Sequence, residues 1–116
     1  MKRLLLMIVG ILMMVNTYAT GLETIGGLRY LIDTDARTAT LVSDTIEYTG
    51  DIVIPEKVSL AGLDFPVVAI LESCFKECTK LKSVSIPSSV TSLRADCFYG
   101  CGSLTSITIP SSVTSL

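Results

Sequence analysis

One stretch of this chain is written twice. Residues 85–93 read Ser-Ile-Pro-Ser-Ser-Val-Thr-Ser-Leu, and residues 108–116 read the same except that Thr108 replaces the first serine. The residues between the copies repeat as well. Laying 67–89 over 90–112 gives 10 identities in 23 positions: Val67/Val90, Cys74/Cys97, Phe75/Phe98, Cys78/Cys101, Leu81/Leu104, Ser83/Ser106, Ile86/Ile109, Pro87/Pro110 and the Ser-Ser pair that follows. Val84/Ile107 and Ile70/Leu93 keep apolar character. A period of 20–30 residues with fixed apolar and free polar positions defines a solenoid, in which each unit buries its apolar face against the next.

Within a unit, strands alternate in and out. Val84 and Ile86 are expected inward with Ser83 and Ser85 outward, and Ile107 and Ile109 inward with Ser106 and Thr108 outward. Pro87 and Pro110 end the strands, because proline cannot donate to a ladder. Cys74, Phe75, Cys78 and Leu81 are spaced to share one face of a short helical turn, as are Cys97, Phe98, Cys101 and Leu104. Phe75 and Phe98 are therefore expected to stack along the core.

Upstream, Ile52-Val53-Ile54-Pro55 matches Val84–Pro87 and is the first of three equivalent strands. Residues 56–65 are an insertion with Ala61-Gly62 at its tip, predicted to form a small hairpin beside the stack. Val67–Ile70 then resumes the register of Val90–Leu93. Before the coils, Leu28–Ile32 and Ala39–Val42 are rich in β-formers and flank the polar stretch Asp33–Arg37. They predict a β-hairpin module, residues 20–49, capping the solenoid of residues 50–116.

Residues 1–19 carry Lys2 and Arg3, the apolar run Leu4–Val15, and Thr17-Tyr18-Ala19 with small residues before a cleavage point. They read as a secretory signal peptide, too short for a transmembrane helix, which needs about 20 apolar residues. Export to the cell surface or the medium follows. Removing Lys2 and Arg3 leaves seven basic residues against eleven acidic, a net charge of −4, which disfavours nucleic acid as a partner.

The catalytic inventory is thin. The chain contains no His, so no Ser-His-Asp, Cys-His or His-containing zinc arrangement is available. Ser73 and Lys76 spell S-x-x-K without its partner motifs, and the next unit has Asp96 and Tyr99 there, so the match reads as chance. Asp33-x-Asp35 lacks the rest of a calcium loop and reads as a solvated turn. Glu72, Glu77, Arg94 and Asp96 fall at variable positions and read as a solvated face. The four cysteines admit three readings: buried core residues, disulfides Cys74–Cys97 or Cys78–Cys101, or a four-thiolate metal site. No cofactor is expected.

The pattern C-F-x-x-C-x-x-L-x-S-[VI]-[ST]-I-P-S-S-V-T-S-L resembles the BspA-type leucine-rich repeat, over about residues 50–116. The resemblance implies a right-handed leucine-rich-repeat coil of short parallel strands and short helical turns. It also implies a non-catalytic, secreted or surface protein of bacteria living in oral or gut communities. Its partners would be host matrix or plasma proteins such as fibronectin or fibrinogen, or proteins on neighbouring cells. Cys74 and Cys97 stand where family repeats usually carry a small residue such as Ala. The candidate binding face is Ser83, Ser85, Ser106 and Thr108, because solenoids bind on extended strand faces. A stalk supporting another domain is the alternative. The sequence stops in mid-repeat at Leu116, which reads as a fragment or the product of a truncated gene, marginally stable and prone to self-association through its last strand.

Overall fold

The computed structural model describes residues 20–44, 47–93 and 95–114. The leader at residues 1–19, Arg94 and Leu116 lie outside the described residues. The chain shuttles between two ladders. One holds β3 (Thr38–Val42), β6 (Leu63–Ile70) and β8 (Ser92–Leu93), and the other holds β4 (Gly50–Val53), β7 (Leu81–Ser85) and β9 (Ser106–Thr108). Every pairing within these two ladders is parallel.

The repeat sets the register directly. Ser83, Val84 and Ser85 stand beside Ser106, Ile107 and Thr108, each 23 positions on. Ala69 and Ile70 stand beside Ser92 and Leu93 in the same way. Backbone bonds tie the coils where the strands end: Thr91 N–H donates to Val68 O at 2.9 Å, Thr105 to Lys82 at 2.9 Å and Thr114 to Thr91 at 3.1 Å. The hydroxyl of Thr105 donates to that same Lys82 carbonyl at 3.2 Å, and Ser112 Oγ donates to Val90 O at 2.8 Å.

The predicted hairpin is β2 (Leu28–Asp33) paired antiparallel with β3. Its turn is closed by the Asp33 carboxylate, which accepts from the backbone N–H of Asp35 and Ala36, both at 3.0 Å. Asp33 and Asp35 thus belong to a turn. A further strand, β1 (Thr20–Ile25), pairs antiparallel with β2 through Gly26-Gly27, at φ 60° and 84°. Two successive positive φ values suit a two-residue hairpin turn and are open to glycine without strain. β3 has a second role, since its other edge pairs with β6 and makes it the first rung of its ladder.

The insertion also forms a hairpin, β5 (Lys57–Leu60) against the first half of β6. Val58 and Phe65 are buried, so the hairpin lays one face on the core. On its outer face Ser59 Oγ donates to Asp64 at 2.6 Å and Lys57 reaches the same carboxylate at 3.2 Å. Those hydrogen bonds, Ser59's first, hold the Asp64 carboxyl below its ordinary range.

The expected helical turns are tighter than an α-helix. In the first coil Cys74, Lys76 and Cys78 donate to carbonyls three residues back, and residues 72–77 are turn. In the second, one 3-10 helix spans Ala95–Phe98. With so few residues between rungs, three-residue steps close the connection where a longer helix has no room to nucleate. The predicted face survives this change: Cys74, Phe75, Cys78 and Leu81 are all buried. Phe75 and Phe98 stack with ring centroids 5.3 Å apart and planes 8° from parallel.

Tyr48 continues the row of rings toward the hairpin, tilted 56° against Phe75. Its ring lies 5.5 Å from Phe75, its hydroxyl donates to Val42 O at 2.7 Å, and it accepts from Arg29 N–H at 3.0 Å. One buried side chain thus joins the antiparallel strands to the coils. One expected core residue departs: Ile109 is 44% exposed, because it lies beyond β9, and no further rung covers it among the described residues. Phe98, Cys101, Leu104 and Ile107 are half-buried for the same reason.

Candidate functional site

Parallel in-register strands place every second residue of β4, β7 and β9 on one solvent-facing surface. Inward go Ile52, Val84 and Ile107, packing on the core with the buried Ile54 and Ile86 beyond the strand ends. Outward stand two rows, about 4.8 Å apart from rung to rung. The first is Asp51, Ser83 and Ser106; the second is Val53, Ser85 and Thr108. Ser85, Ser106 and Thr108 are exposed, and Ser83 is half-buried.

Two members of this face, Asp51 and Val53, were not among the residues singled out from sequence. Their signal is the alternation Asp51-Ile52-Val53-Ile54, which repeats the out-in order of Ser83-Val84-Ser85-Ile86. They change the chemistry of the surface. Ser83 Oγ donates to Asp51 Oδ1 at 2.7 Å, which fixes a carboxylate at the end of the hydroxyl row. Val53, 72% exposed, supplies apolar contact beside Ser85. The face therefore offers hydroxyl donors and acceptors, one negative charge and one apolar side chain. It carries none of the Trp, Tyr or Arg that anchor tight interfaces, so its strength would come from extent.

The four cysteines are free thiols in the core: Cys74, Cys78 and Cys97 are buried and Cys101 is half-buried. Burial pushes all four thiols above their ordinary range. Cys97 rises to about 12, through burial first and then the Asp96 charge. Cys74 rises further, through burial and then Cys97 and Cys78. Burial raises Cys78 against the opposing backbone N–H of Tyr48, and raises Cys101 likewise. Cys101 Sγ donates to Phe75 O at 3.0 Å, reaching back to the previous coil. Protonated, enclosed thiols are poor nucleophiles and poor metal ligands. Among the described residues no group of three or more His, Cys, Asp or Glu could hold a metal ion.

Ser73 and Lys76 sit exposed on the first coil's turn, linked through the backbone by Lys76 N–H to Ser73 O at 3.3 Å. Glu72, Glu77 and Asp96 are also exposed on the turns.

Comparison with known proteins agrees with this architecture. A family model described as "BspA type leucine rich repeat region (6 copies)" matches residues 44–116. The chain belongs to the BspA-type leucine-rich repeat family. Its fold is similar to the crystal structure of a leucine-rich repeat protein from Bacteroides ovatus, with TM-score 0.70 and 26% identity over 78% of this chain and 24% of that one. A leucine rich cell surface protein from Faecalibacterium prausnitzii gives TM-score 0.64 and 31% identity over 82% of this chain and 25% of that one. A leucine-rich repeat protein from Bacteroides capillosus gives 0.64 and 29% over 78% and 64%. The chain thus spans about a quarter of the length of the first two structures. No curated protein sequence matches it.

Proposed function

We propose that this chain is a secreted or cell-surface protein-binding module of the leucine-rich-repeat family, working without catalysis through the outer face of β4, β7 and β9. The observation that carries the reading is the in-register display of Asp51, Ser83 and Ser106 beside Val53, Ser85 and Thr108. Those side chains lie outside the apolar core, whereas their inward neighbours Ile52, Val84 and Ile107 belong to it or pack on it. The coil is right-handed, as parallel crossovers are, with residues 20–49 as its cap and 50–116 as its repeating part. Export through cleavage near Ala19 places it outside the cytoplasm. Among the described residues no helix is long and apolar enough to cross a membrane. The similarity to a cell surface protein of Faecalibacterium prausnitzii supports the same placement.

The partners proposed are host matrix or plasma proteins, fibronectin and fibrinogen first, or proteins of neighbouring cells. The test is biolayer interferometry of the full chain against immobilised fibronectin and fibrinogen, with an unrelated solenoid as control. Binding above the control that falls when Val53→Arg and Ser85→Arg are combined supports the reading. Binding equal to the control, or unchanged by the two substitutions, overturns it for these partners and this face.

A further inference from the structure

The turns of successive coils line an open cleft. Glu72, Ser73 and Lys76 line it from one turn and Asp96 and Tyr99 from the next, around about 330 Å³. That volume reaches the lower end of the range of small-molecule sites. Ser73 and Asp96 occupy one repeat position, and Lys76 and Tyr99 another, so neither position is dictated by packing. Tyr99 is 67% exposed, an aromatic ring left in water rather than stacked with Phe75 and Phe98. The two walls are held together: Glu77 N–H donates to Tyr99 O at 2.7 Å, with Glu77 in the left-handed region at φ 58°.

The composition of the lining selects the ligand. Two carboxylates repel an anion such as phosphate. The Lys76 ammonium in the same lining opposes a free cation. A neutral molecule bearing many hydroxyls takes both acceptors and donors, and a ring with an apolar C–H face stacks on an exposed tyrosine. We propose that this cleft binds a neutral pyranose sugar, with Tyr99 as its platform, Asp96 accepting from ring hydroxyls, and Lys76 and Ser73 donating. The site is separate from the strand face and stands or falls independently of protein binding there.

The test follows the Tyr99 ring resonances by NMR in the full chain. The probes are the methyl glycosides of glucose, galactose, mannose and N-acetylglucosamine, with inorganic phosphate and the zwitterion glycylglycine alongside. At least one glycoside is expected to shift the Tyr99 ring saturably, while phosphate and glycylglycine do not. Read at the backbone amides of Ser73 and Gly100, which every variant retains, Tyr99→Ala is expected to weaken that glycoside by roughly tenfold, with Tyr99→Phe close to the parent. Asp96→Asn should weaken it as well, and Ser85→Arg should leave it unchanged. An unchanged Phe75–Phe98 ring contact verifies that each variant is folded. No response to any glycoside, an equal response to phosphate or glycylglycine, or full binding by Tyr99→Ala overturns the proposal.

Discussion

Residues 67–89 and 90–112 repeat the same core positions in two different surroundings. Phe75, Cys78, Leu81, Val84 and Ile86 are all buried, whereas Phe98, Cys101, Leu104 and Ile107 are half-buried and Ile109 is exposed. The side chains are matched, and so are the backbone positions. What differs is the neighbour: β7 has β4 on one side and β9 on the other, while β9 pairs with β7 alone among the described strands. In a solenoid a residue's burial belongs to the interface between coils more than to the coil that carries it.

The largest test of this contrast is the phenylalanine pair. Phe75→Ala removes a ring stacked on Phe98 and packed against a tilted Tyr48, and should cost about 3–5 kcal/mol in urea unfolding. Phe98→Ala, with one face partly open, should cost about 1–3 kcal/mol. Equal costs would break the comparison.

Alkaline pH probes the buried side of the same contrast. Burial raises Cys97 from 9.0 to about 12, and Tyr30 and Tyr48 from 10.0 to about 12. These groups fold neutral, so their contribution is intact below the unfolded values. It drains away as pH rises from about 9 toward about 12, because only the unfolded chain can ionise readily there. The urea midpoint should be flat through neutral pH and fall steeply across that window. A midpoint unmoved across it would contradict the burial of these groups.

The junction between hairpin and coils comes next. Tyr48→Phe keeps the ring but strands Val42 O and Arg29 N–H, and should cost about 1–3 kcal/mol. Tyr30→Phe is the counter-case, since the buried Tyr30 hydroxyl has no partner among the described residues. Its removal should leave stability within about 1 kcal/mol or raise it.

The smallest effects compare the two turns. Gly100 sits at φ 80°, and a Cβ there would come within 2.9 Å of Glu77 Cγ and 3.2 Å of Glu77 Cα. Glu77 holds the equivalent position at φ 58° without being glycine. Gly100→Ala should cost about 1–2 kcal/mol, while Glu77→Gly should gain up to about 1 kcal/mol by relieving the left-handed strain. Thermal midpoints moving in opposite directions would sharpen the comparison, and both moving down would break it.

These contrasts show where sequence reading succeeds. The 23-residue period exposes the parallel registers and the Phe75–Phe98 stack because each coil must refill the same apolar positions. It also marks Ser83, Ser85, Ser106 and Thr108 as outward, since alternation along a strand is strict. What hides from it is whatever lies off the period. β1 offers only two large apolar residues, of which Leu22 is exposed, so its sole signal is the Gly26-Gly27 turn. Tyr48 lies 6 residues before Ile54, whereas Phe75 lies 11 before Ile86, so no alignment of repeats brings the two rings together. The letter at Ile109 does not separate it from the buried Ile86 of the previous coil; only the expectation of an open last strand points to its exposure. The cleft beside Tyr99 escapes too, being built from positions that the repeat leaves free.

The most direct measurement of the central claim is residue-resolved amide hydrogen exchange on the full chain, comparing β7 with β9. If neighbouring coils decide burial, Val84 and Ser85, in a strand paired on both edges, exchange far more slowly than Ile107 and Thr108, in a strand paired on one edge among the described strands. Equal protection in the two strands, or greater protection in β9, would contradict the account.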